Sequence, residues 1–184
     1  VEKLISIWID NLPNIFDKYS DLGIDFQKQY ILGIAQIIEK LNRKQYKDLD
    51  IEKLVQIPDH TKIDYKLIEQ VFTHHENNLR LNELNRLFTN CGVQKSLEWI
   101  SKSEEIKSSK SISSNDENNV KDEIEKFIDY RNAASHNIIQ ISILNYNQLI
   151  NLCDFINIFC QSLHDLFIYR TLQRMIEAGK VISL

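Results

Sequence analysis

From Asn145 to Gly179 the chain runs for more than thirty residues without a glycine or proline between its ends. Asn145 and Gln148 stand at the spacing of a capping box, so a helix is expected to start there and to run on to Gly179. Leu149, Cys153, Ile156, Cys160, Leu163 and Phe167 recur at three and four residues and predict one apolar seam. Phe155, Ile158, Phe159 and Leu166 put apolar surface on other faces. A helix greasy on most sides is central in its bundle or buried in a dimer. The other apolar residues also fall at helical spacing, and 184 residues hold only four glycines and two prolines. The expected class is all-α, a helical bundle with a long C-terminal helix, in a single domain over 1–184.

The chain ahead of that helix reads as shorter pieces. Residues 1–20 predict a helix with Ile5, Trp8, Ile9, Leu12, Phe16 and Tyr19 on or near one face, broken or restarted at Pro13. A second helix over about 25–47 carries Tyr30, Ile31, Ile34, Ile38 and Leu41 on its apolar side. Its outer end bears Lys40, Arg43, Lys44 and Lys47 at i, i+3, i+4 and i+7. Such a basic stripe is either a solvated helix face or a set of contacts to a phosphate backbone. A short helix over 50–57 stops at Pro58, another covers 64–73, and a third runs from Leu79 to a C-terminal cap at Gly92. Residues 101–119 are serine-dense and polar, and are expected to form a mobile, disordered surface loop within the domain. A helix over about 119–132 follows.

Composition narrows the function classes. Apolar residues make up 43% and charged residues 26%, the profile of a soluble globular protein. No run is long enough for a membrane span and the first residues form no signal peptide, so the expected location is cytoplasmic, away from membranes. The chain begins at Val1 rather than Met, as an N-terminally trimmed chain would. A net charge of −4 argues against sequence-blind coating of a duplex, though not against a small nucleic-acid site. Cys91, Cys153 and Cys160 have no metal-ligand spacing and fit a reducing compartment. His74 and His75 are adjacent, whereas a zinc-binding helix needs i and i+4. No metal or other cofactor is expected.

The segment Arg131-Asn132-Ala133-Ala134-Ser135-His136 is the candidate site. Val120, Ile124, Phe127 and Ile128 form an apolar stripe, and Arg131, eleven residues after Val120, falls within roughly 40° of it. An arginine there needs an anionic partner, a set of carbonyls or a wet cleft. Five residues apart on a regular helix, Arg131 and His136 would point about 140° from each other. The helix is therefore expected to end or kink within the segment, so that both reach one cleft. Arginine clamps phosphate through its planar fork, and histidine can move a proton near neutral pH. Together they are the minimum set for cutting RNA without a metal.

Arg131-Asn132, three small or apolar residues and then His136, after a helix ending Phe-Ile-Asp-Tyr, resembles the Arg-x4-6-His motif of the HEPN superfamily. The resemblance is closest to HEPN nucleases beside prokaryotic restriction and toxin–antitoxin loci, and it covers roughly residues 64–179. It implies a dimerising helical bundle that cleaves RNA without metal in host defence, controlled by an antitoxin or other defence-system partner. It assigns Arg131 to the phosphate, His136 to acid/base chemistry and Asn132 to orienting the pair. Glu76 and Glu83 are candidates for the acidic helper that a neighbouring helix commonly supplies. Asn137 stands where close relatives often have glycine, and Ser135 where an aliphatic is frequent; neither removes a catalytic group. Two other functions remain open: a non-catalytic RNA- or nucleotide-binding adaptor, and a structural bundle in which Arg131 pairs with a core carboxylate.

Overall fold

The structure, a computed structural model, describes residues 1–42, 65–73, 80–108, 117–136 and 145–180, with the helical backbone alone at 40–42 and 135–136. Among the described residues the elements are α1 (Glu2–Ile15), a 3-10 turn (Tyr19–Leu22), α2 (Ile24–Asn42), α3 (Gln70–Thr73) and α4 (Leu81–Asn90). They continue with α5 (Ser96–Ser101), α6 (Glu104–Ser108), α7 (Glu117–His136) and α8 (Tyr146–Glu177). There is no strand among them, so the fold is all-α with a long C-terminal helix. The expected helix over 50–57 lies outside the described residues.

Two compact units share the chain, a division that the single-domain reading did not distinguish. The first comprises Val1–His74, Leu87–Val93 and Tyr169–Leu184. Its core forms because Ile5, Ile9, Leu12 and Phe16 recur at helical spacing and are fully buried. Pro13 does not break α1; it sits in the last turn, and the helix ends two residues later at Ile15. Phe16 is extended and its N–H still reaches the Leu12 carbonyl, at 2.9 Å. Phe26 and Tyr30 from α2 both stack on Phe72, with centroids 5.3 and 5.4 Å apart. That stack turns the buried side of α2 toward Phe26, Tyr30, Ile34 and Ile37 and leaves the expected Ile31 exposed.

The helix expected over 64–73 is reduced to the single turn α3. The Tyr30 hydroxyl accepts the Ile68 N–H at 3.0 Å, so that donor goes to a side chain rather than to a helical carbonyl. Burial drives the Tyr30 phenol up to about 12 and pushes Tyr19 and Tyr65 upward as well.

At Gly92, α4 ends as expected. The Val93 N–H bonds to Phe88 and the Gly92 N–H to Thr89, the paired bonds of a Schellman cap, with Gly92 at φ +70. Arg174 of α8 lies over it. Its Nη2 donates to the Cys91 carbonyl at 3.1 Å, and its guanidinium lies 5.3 and 5.0 Å from the Trp8 and Phe26 ring centroids. Burial is the main reason its pKa falls to about 10.

The second unit comprises His75–Arg86 and Gln94–Ile168. Leu97, Ile100, Ile106, Val120, Ile124 and Phe155 are among its buried residues. Of the segment expected as a disordered loop, 101–119, the described ends are ordered. Ser101 closes α5, residues 104–108 form α6 around the fully buried Ile106, and α7 is under way from Glu117. One isoleucine among serines suffices to anchor a turn, and Ser103 joins it by sharing a hydrogen bond with buried Ser162 at 2.9 Å. Residues 109–116 lie outside the described ones.

The capping box that opens α8 forms as expected: Asn145 N–H to Gln148 Oε1 at 3.0 Å, and Gln148 N–H to Asn145 Oδ1 at 2.9 Å. The expected seam forms only at its C-terminal end, where Leu163 and Phe167 are buried. Nearer the start of the helix the buried residues are Leu152, Phe155 and Phe159, a face roughly a quarter turn from Leu149, Cys153 and Cys160. Periodicity cannot choose between two apolar faces of one helix; the bulkier phenylalanines take the interior.

Candidate functional site

The candidate site lies at the end of α7, within the second unit. Val120, Ile124 and Ile128 are buried, which fixes the inner side of this helix. Arg131 shares their angular position, yet it is exposed. Among the described residues α5 packs against α7. Of the surroundings open to an arginine on that stripe, its exposure fits contact with solvent rather than a sealed core.

Three cations stand five residues apart on α7. Lys121 pairs with Glu117 at 2.6 Å and Lys126 with Glu123 at 2.6 Å, a contact that raises the Lys126 pKa. Arg131 has Phe127 and Ile128 at the corresponding upstream positions and Ala134 and Ser135 downstream. The sequence thus withholds an intrahelical carboxylate from this one cation. Its Nη2 donates to the Asn132 Oδ1 at 3.1 Å, and among the described residues no carboxylate pairs with it. Among the described residues Arg131 is therefore an exposed cation and not one neutralised in the core. Asn132, Ala133 and Ala134 are half-buried.

A second expectation is also corrected. The backbone is α-helical through Arg131 and on to His136, so the helix does not give way between them. Ala133 and Ala134 hold the helix against the weak propensities of Asn132 and Ser135. Positions 131 and 136 consequently lie about 140° apart around the axis, with α-carbons about 9 Å apart.

Lys40 belongs to the last turn of α2, while Arg43, Lys44, Lys47 and Glu76 lie outside the described residues. Glu83 is held by Arg86 on its own helix, with Nε at 3.0 Å and Nη2 at 2.9 Å from Oε2. Among the described residues no three His, Cys, Asp or Glu side chains are grouped as metal ligands would be. The interior arginine, Arg174, escaped the sequence reading. Its signal was present: Leu163, Phe167 and Thr171 precede it on one buried stripe, eleven residues from first to last.

A family profile described as HEPN_MAE_28990-like HEPN matches residues 1–172. The chain belongs to this family. The match starts at the first residue, so α1 and α2 belong to the HEPN pattern as well as the residues from 64 onward that carry the resemblance. No curated protein and no solved structure matches the chain. Membership of the HEPN superfamily points to a nuclease or an RNA-binding module in general terms. Among the described residues, no helix is long and apolar enough to cross a membrane.

Proposed function

We propose that this HEPN protein is a metal-independent endoribonuclease of a prokaryotic defence or toxin system, working in the cytoplasm as a homodimer. The observation that carries the reading is Arg131: an exposed guanidinium without a carboxylate partner among the described residues, opening an Arg-x4-His sequence. A cation left unpaired on a helix whose other two cations are paired is free to take a phosphate. His136 would take the proton from a ribose 2′-hydroxyl or return one to the departing 5′-oxygen. Arg131 would neutralise charge on the phosphorane, with Asn132 steadying it from Oδ1. The 2′-oxygen then bonds to phosphorus as the bond to the 5′-oxygen breaks, giving a 2′,3′-cyclic phosphate and a 5′-hydroxyl.

With 131 and 136 on one regular helix, a single copy presents the two positions in divergent directions. A second copy across a two-fold axis would bring its own His136 beside Arg131, which gives dimerisation a chemical purpose. Lys40, Arg43, Lys44 and Lys47 would hold flanking phosphates, and Glu76 or Glu83 would assist. A partner protein such as an antitoxin would restrain the activity.

Incubating the protein with total tRNA and messenger RNA in EDTA, and mapping the new ends, tests this. Cyclic phosphate ends that vanish with His136→Ala are expected. RNA that is bound but never cut would make the protein an adaptor instead, and cleavage that requires added metal would contradict the mechanism.

A further inference from the structure

Arg170 and Arg174 stand one turn apart on α8, both in the first unit, about 6 Å along the axis and within about 40° around it. Like charges at this spacing repel. Among the described residues neither guanidinium is in ion-pair contact with a carboxylate, and Glu177, less than a turn beyond Arg174, is exposed. Arg174 itself is only 9% exposed. Burial first, and the Arg170 charge after it, lower its pKa. Both side chains are held in place. Arg174 Nη2 donates to the Cys91 carbonyl between the Trp8 and Phe26 rings. Arg170 Nη1 donates to the Gln173 Oε1 at 2.8 Å, and that amide is fixed in turn by Nε2 donating to the Tyr169 hydroxyl at 2.9 Å. Each guanidinium is left with one buried N–H that meets no acceptor, Arg174 at Nη1 and Arg170 at Nε.

We infer that Arg170 and Arg174 hold a small inorganic anion, hydrogen-bonded by Arg174 Nη1 and Arg170 Nε. Charge and size select this ligand. A buried cation needs a counter-charge as well as an acceptor, and two of them on adjacent turns need it more. A water molecule would accept the N–H groups and leave both charges uncompensated. An anion accepts from both arginines and turns their mutual repulsion into a shared attraction, and hydrogen bonds from guanidinium to an anion are the stronger kind. The two donors are buried, so a phosphate within an RNA strand or a carboxylate on another protein does not reach them. A halide or a free phosphate ion is small enough. The site belongs to the first unit and Arg131 to the second, so the assignment goes beyond the ribonuclease reading and does not depend on it.

Thermal unfolding of the full chain tests it, in sodium gluconate exchanged at constant ionic strength for sodium chloride or sodium phosphate. Gluconate is too large for the site. In wild type, one of the two smaller anions should raise Tm along a saturating curve, by about 5–10 °C at a hundred times its dissociation constant. A rise in chloride alone assigns a halide, and a rise in phosphate alone assigns the oxyanion. Arg170→Met keeps an apolar stem, removes Nε and should abolish the saturable rise. Its Tm should match or exceed that of wild type in gluconate, where the two charges only repel, and fall below it in the anion that binds. A crystal grown in that anion, with bromide standing in for chloride, should show it on Arg174 Nη1 and Arg170 Nε. A wild-type Tm that is the same in all three salts would overturn the proposal. So would a rise of equal size in Arg170→Met, which is a general salt effect, or an ordered water on the two donors in place of the anion. No RNA enters these measurements, so their outcome leaves the ribonuclease reading to its own test.

Discussion

Arg174 donates from Nη2 to the Cys91 carbonyl at 3.1 Å, which places a buried cation on the C-terminal end of α4, where the helix leaves its last carbonyls without partners. The Trp8 and Phe26 rings enclose the same guanidinium. Removing it strands a buried carbonyl and two aromatic faces. Arg174→Ala should cost about 2–4 kcal/mol, read as a fall in Tm of about 10 °C. Arg131→Ala removes an exposed side chain and should stay within about 0.5 kcal/mol of wild type. Comparable losses from the two substitutions would mean that Arg131 is a structural residue.

Gly92 and Gly179 both cap helices with positive φ, +70 and +69. They differ in surroundings: a Cβ on Gly92 would lie 2.8 Å from Arg174 Nη2, while one on Gly179 meets open space. Gly179→Ala should cost about 1 kcal/mol for the left-handed backbone alone. Gly92→Ala should cost about 2–3 kcal/mol, because Arg174 must also move. Denaturant midpoints that fall equally would refute the difference.

The tyrosine cluster sets an alkaline limit. The Tyr30 phenol has a folded pKa near 12 against an ordinary 10, because burial disfavours phenolate. A folded pKa above the unfolded one contributes stability that is fully present below about pH 10 and lost between about 10 and 12. For Tyr30 that is about 3 kcal/mol, with Tyr19 and Tyr65 acting in the same direction. Tyrosinate absorbance should therefore rise together with loss of the helical signal in this range. Ionisation of these three tyrosines while the helices stay intact would contradict their burial.

Helix ends were the most legible part of the sequence. Gly92 and the Asn145–Gln148 pair act through local hydrogen bonds, so the residues that form each cap are adjacent in the chain. What the chain hid was which apolar face meets its own interior. Ile31 and Leu149 stand on stripes as regular as those of Tyr30 and Leu152, and long-range packing of aromatic rings decides between them. The two arginines show the same limit. Arg131 and Arg174 each follow an apolar residue by eleven positions, yet Arg131 is exposed and Arg174 is buried. The motif was readable as residue types and spacing, while the helical backbone through it depends on Ala133 and Ala134 outweighing their polar neighbours.

Because one unbroken helix carries both 131 and 136, a complete site would draw on two copies, and mixing inactive variants tests that directly. Arg131→Ala and His136→Ala proteins, each without cleavage alone, are unfolded together, refolded and assayed on RNA in EDTA. Random pairing makes half the dimers mixed, each with one intact Arg131–His136 combination out of two, so about a quarter of wild-type cleavage should return. A refolded mixture as inactive as either parent would show that each chain supplies its own pair, and would contradict a site shared between copies.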